Sequence, residues 1–188
     1  DEFEKQIGDY FGNNKVVTTN AGTSALHLAL HLLKKPKPNW NEDVFQGVAW
    51  VSHNWPGIED GDEVLATPLT CTASNWPIVA NNLKIKWVDI DPTTLNMCLK
   101  DLERKMTPKT KVIMGVHWGG YPLDLDEIRN IRARFRKKND WAPALIEDGA
   151  HSIGTKYKGK YLGNHGNFVM NSLQAIKHIT SVDGGILY

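Results

Sequence analysis

Short β-branched, apolar segments alternate with segments of helical period along most of this 188-residue chain, and that alternation narrows the folds open to it. Strand signals at 63–66, 85–90, 111–116 and 144–147 are separated by helical signals at 73–82, 99–106 and 125–137. Earlier, Phe3, Ile7, Tyr10 and Phe11 define a helical face closed by Gly12, and a short strand at 16–19 precedes a helix carrying Leu26, Ala29, Leu30 and Leu33. Strands joined through helices pair in parallel with right-handed crossovers, so the expected architecture is α/β, a mainly parallel sheet flanked by helices. Such sheets bind ligands beyond the carboxyl ends of their strands. Thr19-Asn20-Ala21-Gly22, Thr67-Pro68-Leu69-Thr70, His117-Trp118-Gly119-Gly120 and Asp148-Gly149-Ala150-His151 all follow strands, which gathers polar groups and glycines at one rim.

Two stretches depart from this rhythm. Between 36 and 60 the chain carries Pro36, Pro38, Pro56 and several Trp without a clear period, which marks an insertion within a single domain over 1–188. From 156 to 166 it turns to glycine-rich hairpin chemistry, followed by a strand at 168–171, the segment from Ser172 to Lys177, and a closing apolar strand. Neither terminus reads as natural, so we expect a fragment whose last strand, ending at Ile186-Leu187-Tyr188, is left unpaired.

Composition removes several function classes. Lys plus Arg is 22 against 21 for Asp plus Glu, a net charge of +1, so the chain lacks the positive excess of a nucleic-acid binder. No apolar run approaches the roughly 20 residues of a membrane helix, and the acidic start is unlike a signal peptide. Cys71 and Cys98 are far apart and form no disulfide framework, so a reducing cytoplasm is the expected location. The histidines do not cluster with cysteine, and no metal site is expected. Neither a Walker loop, a GxGxxG fingerprint nor a G-x-S-x-G elbow is present.

Three groups carry chemistry together. Gly22, Thr23 and Ser24 open a helix after a strand, where free amides, the helix dipole and two hydroxyls suit an anion; the simpler role is a helix cap. Asp148 ends a buried strand at the rim, where a carboxylate needs a cation such as a protonated heterocyclic nitrogen, or else serves as a cap or structural ion pair. His151 stands three residues on and either faces the same pocket or is a core histidine. Lys177, between apolar segments and shortly before Gly184-Gly185, is placed to be desolvated and nucleophilic, although most lysines are solvated surface charges. Phosphate cradle, pyridinium partner and amine are the three parts of a pyridoxal 5'-phosphate site.

With these parts in view, the sequence resembles the large domain of the DegT/DnrJ/EryC1/StrS family, the pyridoxal-phosphate-dependent sugar aminotransferases of aspartate-aminotransferase fold. The likeness rests on Ala21-Gly22-Thr23-Ser24-Ala25-Leu26, Gly61-Asp62-Glu63-Val64, Val88-Asp89-Ile90-Asp91 and Val116-His117 with Gly119. It continues through Glu147-Asp148-Gly149-Ala150-His151, Gly163 with Gly166, and Ser172 with Lys177, all in order. The resemblance implies that Gly22 and Thr23, with Ser172, hold the cofactor phosphate, that Ser24 also binds the cofactor, that Asp148 pairs with the pyridinium nitrogen, and that His151 lies near the ring hydroxyl. It implies Lys177 as the lysine that binds the cofactor and then acts as general base. Cys71 falls where relatives usually place an aromatic ring that stacks on the cofactor. The implied reaction moves an amino group from glutamate to a nucleotide-linked keto sugar, in a homodimer. A dehydratase of the same family carries His in place of the lysine, so Lys177 favours transamination. The alternatives are that dehydratase chemistry and a non-catalytic, regulatory cofactor-binding homologue, the latter suggested by Cys71 and the insertion.

Overall fold

The periodic segments fold as the sequence indicates, with boundaries moved by a few residues. The computed structural model describes residues 2–34, 54–163 and 165–188, and most of the expected insertion, 36–53, lies outside the described residues. In chain order the elements are α1 (Glu2–Phe11), β1 (Val17–Thr19), α2 (Gly22–Leu32), β2 (Glu63–Ala66), α3 (Thr72–Ala80) and β3 (Lys84–Trp87). They continue with α4 (Leu99–Lys105), β4 (Thr110–Val116), α5 (Leu125–Asn139), β5 (Ala144–Asp148), the ribbon β6 (Lys156–Tyr157) and β7 (Lys160–Tyr161), then β8 (Phe168–Ser172) and β9 (Gly185–Leu187). β3 stops earlier than the apolar run suggests because the chain turns back after it, Ile90 bridging to Met97.

Seven strands form one sheet in the order β1-β9-β8-β5-β4-β2-β3. β3, β2, β4, β5 and β8 pair in parallel. β9 is antiparallel to both its neighbours, β8 and β1. The expectation of an unpaired closing strand is therefore wrong: β9 is an inner strand, hydrogen-bonded on both sides, and a run of apolar residues is what such a strand needs.

The pleat sorts side chains onto two faces. Val64 and Ala66, Val112 and Met114, Ala144 and Ile146, and Phe168 and Met170 pack with Leu26, Leu30 and Ile78 of α2 and α3. Leu65, Ile113 and Leu145 pack on the opposite face with Leu102, Leu125, Ile128 and Ile131 of α4 and α5. α5 begins at Asp124, whose side chain accepts from the Glu127 amide, and ends at Asp140 in the left-handed region with Arg136, Lys137 and Lys138 against the helix dipole.

The ends of the insertion are held together. The Ile58 amide donates to the Leu33 carbonyl at 2.9 Å, and Lys34 and Ile58 form a parallel bridge. The Trp55 indole N–H reaches the same carbonyl at 3.4 Å. This neck lies at the carboxyl end of α2, at the far side of the sheet from the rim where α2 begins.

Candidate functional site

Strand parity decides which rim residues can meet. Asp148 shares its face with Ala144 and Ile146, and Ser172 shares its face with Phe168 and Met170, so both belong to the side covered by α2 and α3.

Asp148 is 3% exposed, and both of its oxygens are served by neutral donors. The Ser74 hydroxyl in α3 donates to Oδ2 at 2.6 Å, and the Ala150 amide donates to Oδ1 at 3.0 Å. Because Ser74 gives its one proton to Asp148, its 2.7 Å contact with the Thr70 hydroxyl must run from Thr70 to Ser74. The carboxylate is thus oriented by a Thr70–Ser74 relay, and it neither caps a helix nor relies on a side-chain cation to satisfy those two oxygens. An incoming cation would find it buried and fixed.

The start of α2 is built as a cradle. Ala21 is the N-cap and supplies no side-chain cap bond, so the simple capping role considered for Thr23 or Ser24 is not the one adopted. The Ser24 and Ala25 amides turn back to the Ala21 carbonyl at 3.1 and 3.2 Å. The Gly22 and Thr23 amides, first in the helix, have no such intrahelical acceptor. Gly22 rests on β8: a Cβ there would stand 3.0 Å from Met170 Sδ and 3.2 Å from Ser172 Cβ. A side chain at 22 would have to push Met170 or Ser172 aside, and its absence sets the first amides of α2 beside the Ser172 hydroxyl. Gly185, paired in register with Thr19 and Ser172, makes room from the other side.

His151 and Lys177 complete the rim. His151 is half-buried, with its ring edge-on to Trp118 at 5.8 Å between centroids. Burial pushes the His151 ring below its ordinary pKa, the Lys177 charge pushes the same way, Asp148 opposes, and His178 adds to the lowering. His151 therefore feels the charges of both Lys177 and Asp148. Lys177 itself is half-buried, its amide donating to the Gln174 carbonyl at 2.9 Å. The expected desolvation is only partial, because Ile176 (83% exposed) and Val182 (79% exposed) face solvent and do not cover the amine. Cys71 is exposed at the N-cap of α3, one turn before Ser74, and Thr23 and Ser24 line a groove of about 460 Å³ with His27 and Trp76.

Four site features escaped the sequence reading. Ser74 and Thr70 were recoverable, as hydroxyls flanking the start of a helix that follows a rim strand. Trp118 lay in a segment already noted for its glycines, but only the fold brings its ring to His151. The expectation that no H-x-x-x-H pair is present is wrong, since His27 and His31 stand one turn apart on α2; among the described residues no group of three metal-ligating side chains forms.

Two amides with nearby hydroxyls suit a phosphate dianion, and a fixed carboxylate suits a protonated ring nitrogen. Fold and rim define the class: a layered α/β protein with helix amides, hydroxyls and a buried carboxylate gathered at one edge of its sheet. The chain belongs to the DegT/DnrJ/EryC1/StrS aminotransferase family, whose profile matches residues 1–39 and 49–188. It is 45% identical to AtS13 from Actinomadura melliaura, with a TM-score of 0.83 over 99% of this chain and 44% of that one. It is 42% identical to the sugar aminotransferase CalS13 from Micromonospora echinospora, again with a TM-score of 0.83, over 99% of this chain and 44% of that one. The GDP-4-keto-6-deoxy-D-mannose-3-dehydratase of E. coli, solved with bound hydrated PLP, is 26% identical with a TM-score of 0.81, over 99% of this chain and 42% of that one. The chain spans less than half the length of each of these proteins.

Proposed function

We propose that this chain is the cofactor-binding large domain of a pyridoxal-phosphate-dependent aminotransferase that transfers an amino group from glutamate to a nucleotide-linked keto sugar. The observation that supports the reading is the α2 cradle and the buried, donor-held Asp148 at one rim, with the Lys177 charge felt by His151, in a chain 42% identical to a sugar aminotransferase. When bound, the cofactor supplies an electron sink for breaking bonds at the amine carbon. The Gly22 and Thr23 amides, with the Thr23, Ser24 and Ser172 hydroxyls, bind its phosphate. Asp148, held by Ser74 and the Ala150 amide, keeps a proton on the ring nitrogen. Lys177 supplies the amine nucleophile and, once released, the base that moves a proton. His151, whose pKa is lowered by burial and by the Lys177 charge, offers a hydrogen bond near the ring hydroxyl.

Lysine at 177 supports transamination over the dehydratase chemistry of the E. coli relative. The apolar side chains exposed around Lys177 support a partner subunit over the site, in keeping with a homodimer. The break in the family match at 40–48 supports reading 36–60 as an insertion. A location in the cytoplasm is part of the same reading. The test is to incubate the full-length protein with pyridoxal phosphate and glutamate. Conversion to the pyridoxamine form, with borohydride labelling on Lys177, is expected. A label on another lysine overturns the site, and a bound cofactor that glutamate never converts favours the regulatory homologue.

A further inference from the structure

The two ionisable side chains His117 and Glu147 have no solvent exposure, and no step above uses them. His117 closes the carboxyl end of β4, and Glu147 immediately precedes Asp148 in β5. By parity Glu147 points to the α5 face, away from the cofactor side. There its Oε2 lies 2.9 Å from His117 Nε2. The other ring nitrogen, Nδ1, accepts from the Leu123 amide at 3.1 Å, so the hydrogen-bond network assigns the neutral tautomer with the proton on Nε2, donated to Glu147. The main chain of His117 also donates, to the Asp148 carbonyl at 3.1 Å. One residue therefore grips two consecutive residues of β5, by side chain at Glu147 and by backbone at Asp148.

The same residue anchors the turn that follows it. The Trp118 amide donates to Asn96 Oδ1 at 2.9 Å, and the Asn96 side chain donates to the Tyr121 carbonyl at 3.0 Å. Gly120, at φ +80°, lies so close to the turn after β5 that a Cβ would stand 2.7 Å from the His151 carbonyl. Thr155 ties down the Gly120 carbonyl at 3.1 Å, and the Trp118 ring meets the His151 ring. Glu147, His117 and the 118–121 turn thus form a continuous support beneath Asp148 and beside His151.

We propose that His117 and Glu147 are a positioning pair, fixing Asp148 and His151 in the geometry that the cofactor ring needs. The inference rests on reading Asp148 as the partner of the ring nitrogen. A buried hydrogen bond that only filled the core would affect stability alone; this one reaches the site through the backbone of Asp148.

The test is a spectroscopic titration of the full-length protein with pyridoxal phosphate, following the visible band of bound cofactor and the pH at which it changes. Glu147→Leu removes the acceptor at similar volume, and we expect cofactor affinity about tenfold weaker, with a displaced pH midpoint. Glu147→Gln keeps an acceptor for His117 and should restore both to within about twofold of the parent. A Leu variant that melts lower yet keeps parental affinity and midpoint overturns the proposal, as does an equal loss in the Gln variant. If the Leu variant does not fold, His117→Gln replaces it; weaker binding with a displaced midpoint supports the pair, and parental values overturn it. Absence of any cofactor band in the parent protein instead removes the functional reading, and this inference with it.

Discussion

Gly185→Ala adds one methyl group at the point where the cradle is tightest. Its Cβ would stand 2.4 Å from the Ala21 carbonyl oxygen, 2.6 Å from the Ala21 carbonyl carbon and 2.6 Å from Thr19 Oγ1. An ordinary carbon–oxygen contact is about 3.3 Å or more, so roughly 0.9 Å of movement is required. The backbone of Gly185 is not among the positive-φ glycines, so alanine meets no conformational penalty of its own and the clash is the whole effect. Neither side yields easily. β9 is clamped between β8 and β1, while the Ala21 oxygen accepts from Ser24, Ala25 and the Thr19 hydroxyl at 3.1, 3.2 and 2.8 Å. Overpacking of this kind costs about 1–3 kcal/mol, and backbone on both sides puts the value near 3. For a chain of this length that is a fall of about 6–12 °C in melting temperature. The displaced atoms begin α2, so phosphate affinity should fall with it. Thermal unfolding by circular dichroism, beside a pyridoxal phosphate titration, measures both. Gly159→Ala, in the turn between β6 and β7, is the control: it carries φ +83° but no atom within 4 Å of its Cβ, so it should cost about 1 kcal/mol and leave binding alone. A Gly185→Ala protein that melts within about 2 °C of the parent would refute the reasoning.

Other outcomes follow from the same geometry. Asp148→Asn should hold cofactor, since Ser74 and the Ala150 amide still find partners, yet turn over about 100-fold slower or worse; undiminished turnover removes Asp148 from the site. Lys177→Met should move the NMR titration of His151 to higher pH, because the lysine charge is one of the causes that depress it, and an unmoved titration separates the two residues. The sign carries into stability: a histidine depressed in the folded state leaves the unfolded chain binding more protons, so His151 subtracts stability as pH falls below about 6.5 and the Lys177→Met protein should lose less on acidification. Replacing 36–53 by a short Gly/Ser linker should leave melting temperature and cofactor affinity near parental values, because Leu33, Lys34 and Ile58 already hold the ends together; loss of cofactor binding would tie the insertion to the site.

What the sequence disclosed was local. Short apolar runs located β2, β4 and β5 because the middle of each strand is buried on both faces. The glycine, the hydroxyls and Asp148 stood out because each breaks such a pattern at its end. The place of β9 was not legible, since a triplet of apolar residues reads alike as an edge or an inner strand, and its neighbours come from opposite ends of the chain. Lys177 looked enclosed because β8 and β9 flank it in sequence, whereas the loop between them carries its isoleucines and valine outward. Glu147 and His117 drew no notice as a pair, although each belongs to a quoted motif, because their hydrogen bond joins two different strands.

The inner position of β9 also sets an order of assembly. Among the described residues β1 pairs with no strand but β9, more than 160 residues later in the chain, so the sheet cannot close on that side until that whole stretch has left the ribosome. Contacts this distant in sequence slow folding, and synthesis proceeds at only about 5–20 residues per second. During that interval α2 has no Ser172 or Gly185 beneath its first turn, and the amides that would face a phosphate have nothing to aim them. On the proposed reading, the phosphate cradle at the start of α2 is complete only once β9 has inserted between β1 and β8.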